Sequence, residues 1–224
     1  MKKGLRLVAL LSLAIFASCG LEPFEEDSAD SGVVETETEA SSMSEDSSLF
    51  LEDGDSGKFI FETNDSSYIN EDGYTIWTTR DTNEGDAFAP VSVTVSKESG
   101  VSEAGFGIVF CAQEIEGKPF MMAVLVNANG MYTVAEVVDG AFSHLDGGWK
   151  YFSGMRRGYG TRNEIAVTYD GGTDEFLLLI NGESVKSFSV PEGALFRGSK
   201  SGFVVVIADN ENFPDEPVRV VFEK

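Results

Sequence analysis

The chain has 224 residues and carries 38 Asp and Glu against 16 Lys and Arg, a formal net charge of −22. That balance opposes nucleic-acid binding, which needs clustered Lys and Arg to neutralise phosphates, and it equally opposes charge-driven attachment to anionic lipid headgroups. Hydrophobic residues make up 42% of the chain, so a substantial core is still within reach.

The first element is a short apolar run, Leu5 to Ala17, led by Lys2, Lys3 and Arg6 and closed by the small pair Ala17-Ser18. A charged start, an apolar centre and small residues before a cut site describe a secretory signal. The run is too short to span a bilayer as a helix, which takes about 18 or more apolar residues. Phe16-Ala17-Ser18-Cys19, followed by Gly20, resembles the lipobox of bacterial lipoproteins. Leucine usually stands where Phe16 does, and boxes relaxed at that position are best known from spirochaetes. The resemblance implies removal of residues 1–18 and acylation of Cys19. At about 0.8 kcal/mol per buried methylene, the two or three chains of a lipoprotein hold lastingly to a lipid bilayer. The expected location is an extracytoplasmic face of a bacterial envelope.

Residues 19–56 have a different texture. From Gly20 to Ser56 there are thirteen Asp or Glu, no Lys or Arg, and many Ser and Thr. Low hydrophobicity with charge of one sign cannot offset ordering entropy, so a disordered acidic tether is expected. From Gly57 to Lys224 the chain turns to β-branched and aromatic residues with spaced glycines, enough for one domain. With Cys19 acylated, Cys111 stands alone inside Ile108-Val109-Phe110-Cys111-Ala112 and reads as a buried small hydrophobe.

Within this domain short apolar runs alternate with turn signals and predict strands over 58–62, 74–79, 91–96, 105–112, 120–127, 131–138, 163–169, 175–180, 184–189, 203–208 and 218–223. Asn129-Gly130 and Asn181-Gly182 suit two-residue hairpins, and Asp170-Gly171-Gly172-Thr173 suits a looser reversal. Asn163 to Ser189 should therefore form a three-stranded meander. Phe176–Ile180 and Phe203–Ile207 are apolar on both faces, which places them inside their sheets, with a second sheet on one side and loops or a concave groove on the other. The fold class is all-β: a two-sheet antiparallel β-sandwich following the tether.

The order Gly105-Phe106-Gly107-Ile108-Val109-Phe110, two hairpinned strands, Trp149, Asn163-Glu164-Ile165-Ala166-Val167 and then Phe176-Leu177-Leu178-Leu179-Ile180-Asn181-Gly182 is similar to the concanavalin A-like lectin/glucanase superfamily. The laminin-G-like and 3-keto-disaccharide hydrolase-type domains are the nearest in pattern. The resemblance implies a concanavalin A-like jelly roll over residues 58–224, and it points to no activity, because one fold hosts many functions.

Two stretches carry candidate sites. The densest basic cluster is interleaved with aromatics and offers Trp149, Tyr151, Arg156, Arg157, Tyr159 and Arg162 for stacking on sugar rings and holding anions. Asp209, Asn210, Glu211 and Asp215 form an oxygen-rich loop that suits Ca²⁺, the one cofactor the sequence suggests. His144 reads as a surface residue of a glycine-bounded loop. The carboxylate pair of a glycosidase needs a fixed separation of roughly 5–5.5 Å or more, and no Glu-x-Asp-x-Glu run supplies it. The function expected is recognition of a glycan or an envelope protein without catalysis. A carbohydrate-active hydrolase and a structural envelope protein are the alternatives.

Overall fold

A computed structural model describes residues 50–53, 57–64, 73–207 and 216–224. Fourteen strands appear among them: β1 (Phe50–Asp53), β2 (Lys58–Thr63), β3 (Tyr74–Thr82), β4 (Val91–Ser99), β5 (Phe106–Ile115), β6 (Lys118–Val126), β7 (Met131–Val138), β8 (Ala141–His144), β9 (Lys150–Tyr151), β10 (Asn163–Asp170), β11 (Glu175–Ile180), β12 (Glu183–Ser189), β13 (Lys200–Val206) and β14 (Val218–Glu223). They make two antiparallel sheets. The first sheet runs β1-β2-β14-β4-β10-β11-β12, and the second runs β3-β13-β5-β6-β7-β8, with β9 also paired to β7. The all-β sandwich expected from the sequence is the fold observed.

Side-chain alternation explains the layering. In β10 the residues Asn163, Ile165 and Val167 are buried while Glu164 is exposed, so one face meets the core. The core between the sheets collects Phe61, Phe110, Phe176 and Phe222, each 0% exposed. Phe176 packs edge-on against Phe88 and Phe110, with centroids 5.0 and 5.2 Å apart. Phe203 lies stacked between Phe222 at 4.4 Å and Trp77 at 5.6 Å. Each buried aromatic contributes about 1.5–3 kcal/mol from area alone.

The meander β10-β11-β12 is present, and Asn181-Gly182 makes the expected two-residue turn with φ of 53° and 79°. The turn at Asn129-Gly130 differs. There only Gly130 has positive φ, at 79°, and the Asn127 amide bonds the Met131 carbonyl at 3.0 Å, closing a three-residue loop over Ala128-Asn129-Gly130. Asn127 Oδ1 accepts from the amides of Asn129 and Met131, both at 3.1 Å, and this cap favours the longer loop.

The sheet begins at Phe50, inside the stretch expected as a tether. There β1 pairs with β2 from Phe50↔Phe61 to Asp53↔Lys58. The acidic composition does not prevent the pairing, because a strand ladder is built from backbone groups. The rest of that tether, the signal and Cys19 lie outside the described residues.

Candidate functional site: a groove on the outer face of the second sheet

The second sheet is apolar on both faces, which accounts for the pattern of Phe203–Ile207. Phe203 and Val205 point into the sandwich core, while Val204 and Val206 point outward with Val109, Ala123, Leu125 and Val137. This outer face is bridged. Tyr74, on the β3 edge, donates its hydroxyl to the Gly140 carbonyl at 2.5 Å in the β7–β8 turn, and its ring meets Phe142 of β8 edge-on at 4.9 Å. The two edges of the sheet therefore approach one another across a concave face, as strand twist allows.

At one end of this face a cavity of about 480 Å³ opens between Tyr74, Phe142 and Trp149 on the walls, Gly105, Leu125 and Val206 on the floor, and Glu103, Asn129 and His144 on the polar rim. Trp149 is placed by the chain before it. A single helical turn, Leu145–Gly147, follows β8, and Gly148 then adopts φ 100°, ψ −150°, which side chains with a Cβ scarcely reach. The indole rests on Gly105, where an added Cβ would lie 2.9 Å from its Cη2 atom. The missing side chain at 105 is thus what lets the ring reach the sheet.

The rim is held by its own hydrogen bonds. Asn129 Nδ2 donates to Glu103 Oε1 at 3.1 Å, and Asn127 Nδ2 donates to the Glu103 carbonyl at 3.3 Å. Hydrogen bonds from Ser102 and Asn129 hold the Glu103 carboxyl below the usual carboxylate range, so it is anionic at neutral pH. His144 ends β8, not a loop as expected. Its Nδ1 lies 2.9 Å from the Thr133 hydroxyl, and its ring centroid is 6.4 Å from that of Trp149.

The aromatic and basic stretch is divided by the fold. Trp149 lines the cavity. Tyr151 pairs with Met131, itself a lining residue, and directly opposed residues share a face, so Tyr151 stands at the rim. The Arg157 guanidinium sits 4.4 Å over the Tyr151 ring, a cation–π contact. The other three turn elsewhere. Arg156 donates to the Arg162 carbonyl at 2.9 Å, Arg162 pairs with Glu223 of the first sheet, and the Tyr159 hydroxyl bonds the Gly100 carbonyl. Asp209, Asn210, Glu211 and Asp215 lie outside the described residues, among which no group of three His, Cys, Asp or Glu could hold a metal ion. Cys111 is 1% exposed, and burial pushes its thiol up to about 12, as befits a small hydrophobe.

Sequence reasoning found Trp149 and Tyr151 but missed Tyr74, Glu103, Phe142 and Asn129 and left His144 aside. Gly105, just before β5, and Gly107 within it, two apart and so on one face, with the doubly apolar β13, were the signal for a second packed face.

No protein-family model and no curated protein matches the sequence. Among solved structures the chain is similar to the carbohydrate-binding module CBM66 of Bacillus subtilis, at 12% identity, TM-score 0.43, over 68% of this chain and 92% of that one. It is also similar to the catalytic domain of an endo-1,3-β-glucanase (laminarinase) from Thermotoga petrophila, at 12% identity, TM-score 0.49, over 78% and 77%. A third likeness is to the β-glucanase of Bacillus licheniformis, at 7% identity, TM-score 0.47, over 75% and 76%. At such identities the likeness concerns the two-sheet sandwich alone, and neither ligand nor activity passes from those proteins to this chain.

Proposed function

We propose that the protein is an acylated, extracytoplasmic lipoprotein whose sandwich binds a carbohydrate in the groove of the second sheet. The observation that supports this most is the pairing of the Trp149 indole with a carboxylate rim at Glu103 in one cavity of about 480 Å³, a size that suits small ligands. Sugar rings carry an apolar face for stacking and hydroxyls for hydrogen bonding, and the cavity offers a partner to each. Glu103, ionised and oriented by Asn129, is suited to accept hydroxyl hydrogen bonds and to repel anionic sugars. The anchor reading is supported by the basic, apolar and small-residue order ahead of Cys19.

Calorimetric titration of the protein with a panel of neutral, amino and uronic oligosaccharides tests the site. Trp149→Ala should weaken binding of any neutral ligand at least about tenfold, the order of one lost stacking contact, while Arg162→Ala should leave it unchanged. Glu103→Gln should weaken the neutral ligand and narrow its advantage over the uronic one. Equal affinity of wild type and Trp149→Ala would remove the groove as the site.

A further inference from the structure

We infer that the groove is blind, and that it admits the free end of a saccharide chain instead of a stretch within one; this rests on the carbohydrate reading above. The argument is one of rows across the second sheet. Tyr74 pairs with Val206, the Val206 amide bonds the Gly105 carbonyl at 2.8 Å, the Asn127 amide bonds the Met131 carbonyl at 3.0 Å, and Met131 pairs with Tyr151. Phe106↔Val126 brings Gly105 alongside Asn127 and completes the row. These residues form one margin of the sheet, and Tyr74, Val206, Gly105, Asn127 and Met131 of that row line the cavity.

Two positions inward on the same face stand Ile76, Val204, Gly107 and Leu125, and beyond them Val109, Ala123 and Ala135. Val204, Val109, Ala123 and Ala135 are all 0% exposed. A through-groove would have to pass over these residues and leave them wet. The obstruction comes from the diagonally opposite corner: Phe142 pairs with Val137 near the far end of β7, yet its ring meets Tyr74, whose hydroxyl holds Gly140. The cavity therefore ends against the Tyr74 and Phe142 rings, with a filled apolar layer behind them. Among the described residues, a chain entering from the Trp149 side meets no exit at the back.

The test titrates the full-length protein with linear α- and β-gluco-, xylo-, manno- and chito-oligosaccharides and with cyclic glucans of matching linkage, and measures sites per chain as length increases. Each chain of a binding series should present one site whatever its length, with an unchanged Kd, and the cyclic counterpart should bind at least about tenfold more weakly. Partial depolymerisation of the matching polysaccharide should raise the number of sites in proportion to the chain ends released. Sites that multiply with chain length, or a cyclic glucan bound as tightly as the linear one, would overturn the blind groove and leave carbohydrate binding standing. Failure of every probe to bind would remove the carbohydrate reading and this inference together.

Discussion

Lys97 is the residue least expected where it lies. In β4 the inward positions are Val93, Val95 and Lys97, and the lysine is 1% exposed. Its Nζ donates to the Ala104 carbonyl at 3.0 Å and sits 5.7 Å from the centroid of the Phe106 ring. Burial drives its pKa from 10.5 down to about 8, partly offset by the charge of Glu103. The bond to Ala104 ties the loop that carries Glu103 to the opposite sheet, so a core lysine positions the rim of the groove. Between pH 8 and 10.5 the unfolded chain holds more protons than the folded one, so stability should rise with pH across that window. At lower pH both states are protonated and the full penalty stays, roughly 3 kcal/mol for a shift of this size. Urea unfolding at pH 7.5 to 10.5 checks this against Lys97→Met, in which the rise should largely vanish. An equal rise in both proteins would assign it to other groups.

At the scale of elements, the connection from β8 to β9 is the most exacting. Gly148 sits at φ 100°, and an added Cβ would meet nothing within 4 Å. Gly148→Ala should therefore cost about 1–3 kcal/mol through backbone strain alone, and it should move Trp149 off Gly105. Near-ultraviolet circular dichroism would show the ring's displacement, with Phe203-stacked Trp77 as the constant background. The long strands were legible in the sequence because alternation and turn chemistry are local. β7, β11 and β14 fall on the residues expected, and the Asn181-Gly182 turn is the kind its residues demand. β8 and β9 were not legible, because four and two residues on an edge carry too little alternation to be distinguished from loop. The groove was half legible. Trp149 and Tyr151 announced themselves as aromatics, whereas the contact of Tyr74 with Phe142 joins strands at opposite edges and leaves no local trace.

For the whole molecule, the charge balance and the proposed anchor give separable expectations. The segment from Gly57 onward carries 25 acidic against 13 basic side chains, so charge would repel it from an anionic membrane. Attachment through acyl chains on Cys19 should therefore survive high salt and be abolished by Cys19→Ala, which should move the protein from the detergent phase to the aqueous phase on phase separation. Partition of the wild type into buffer would end the anchor proposal without touching the sandwich.

β1 has a mechanical consequence. Among the described strands it pairs with β2 alone, at the outermost position of its sheet, with Phe50↔Phe61 as its first rung. Tension drawn across the sheet at residue 50 would part that ladder one rung at a time, each worth about 1 kcal/mol. The edge strand would yield at low force as a sacrificial length of slack, while β2 and the strands that carry the groove stay folded.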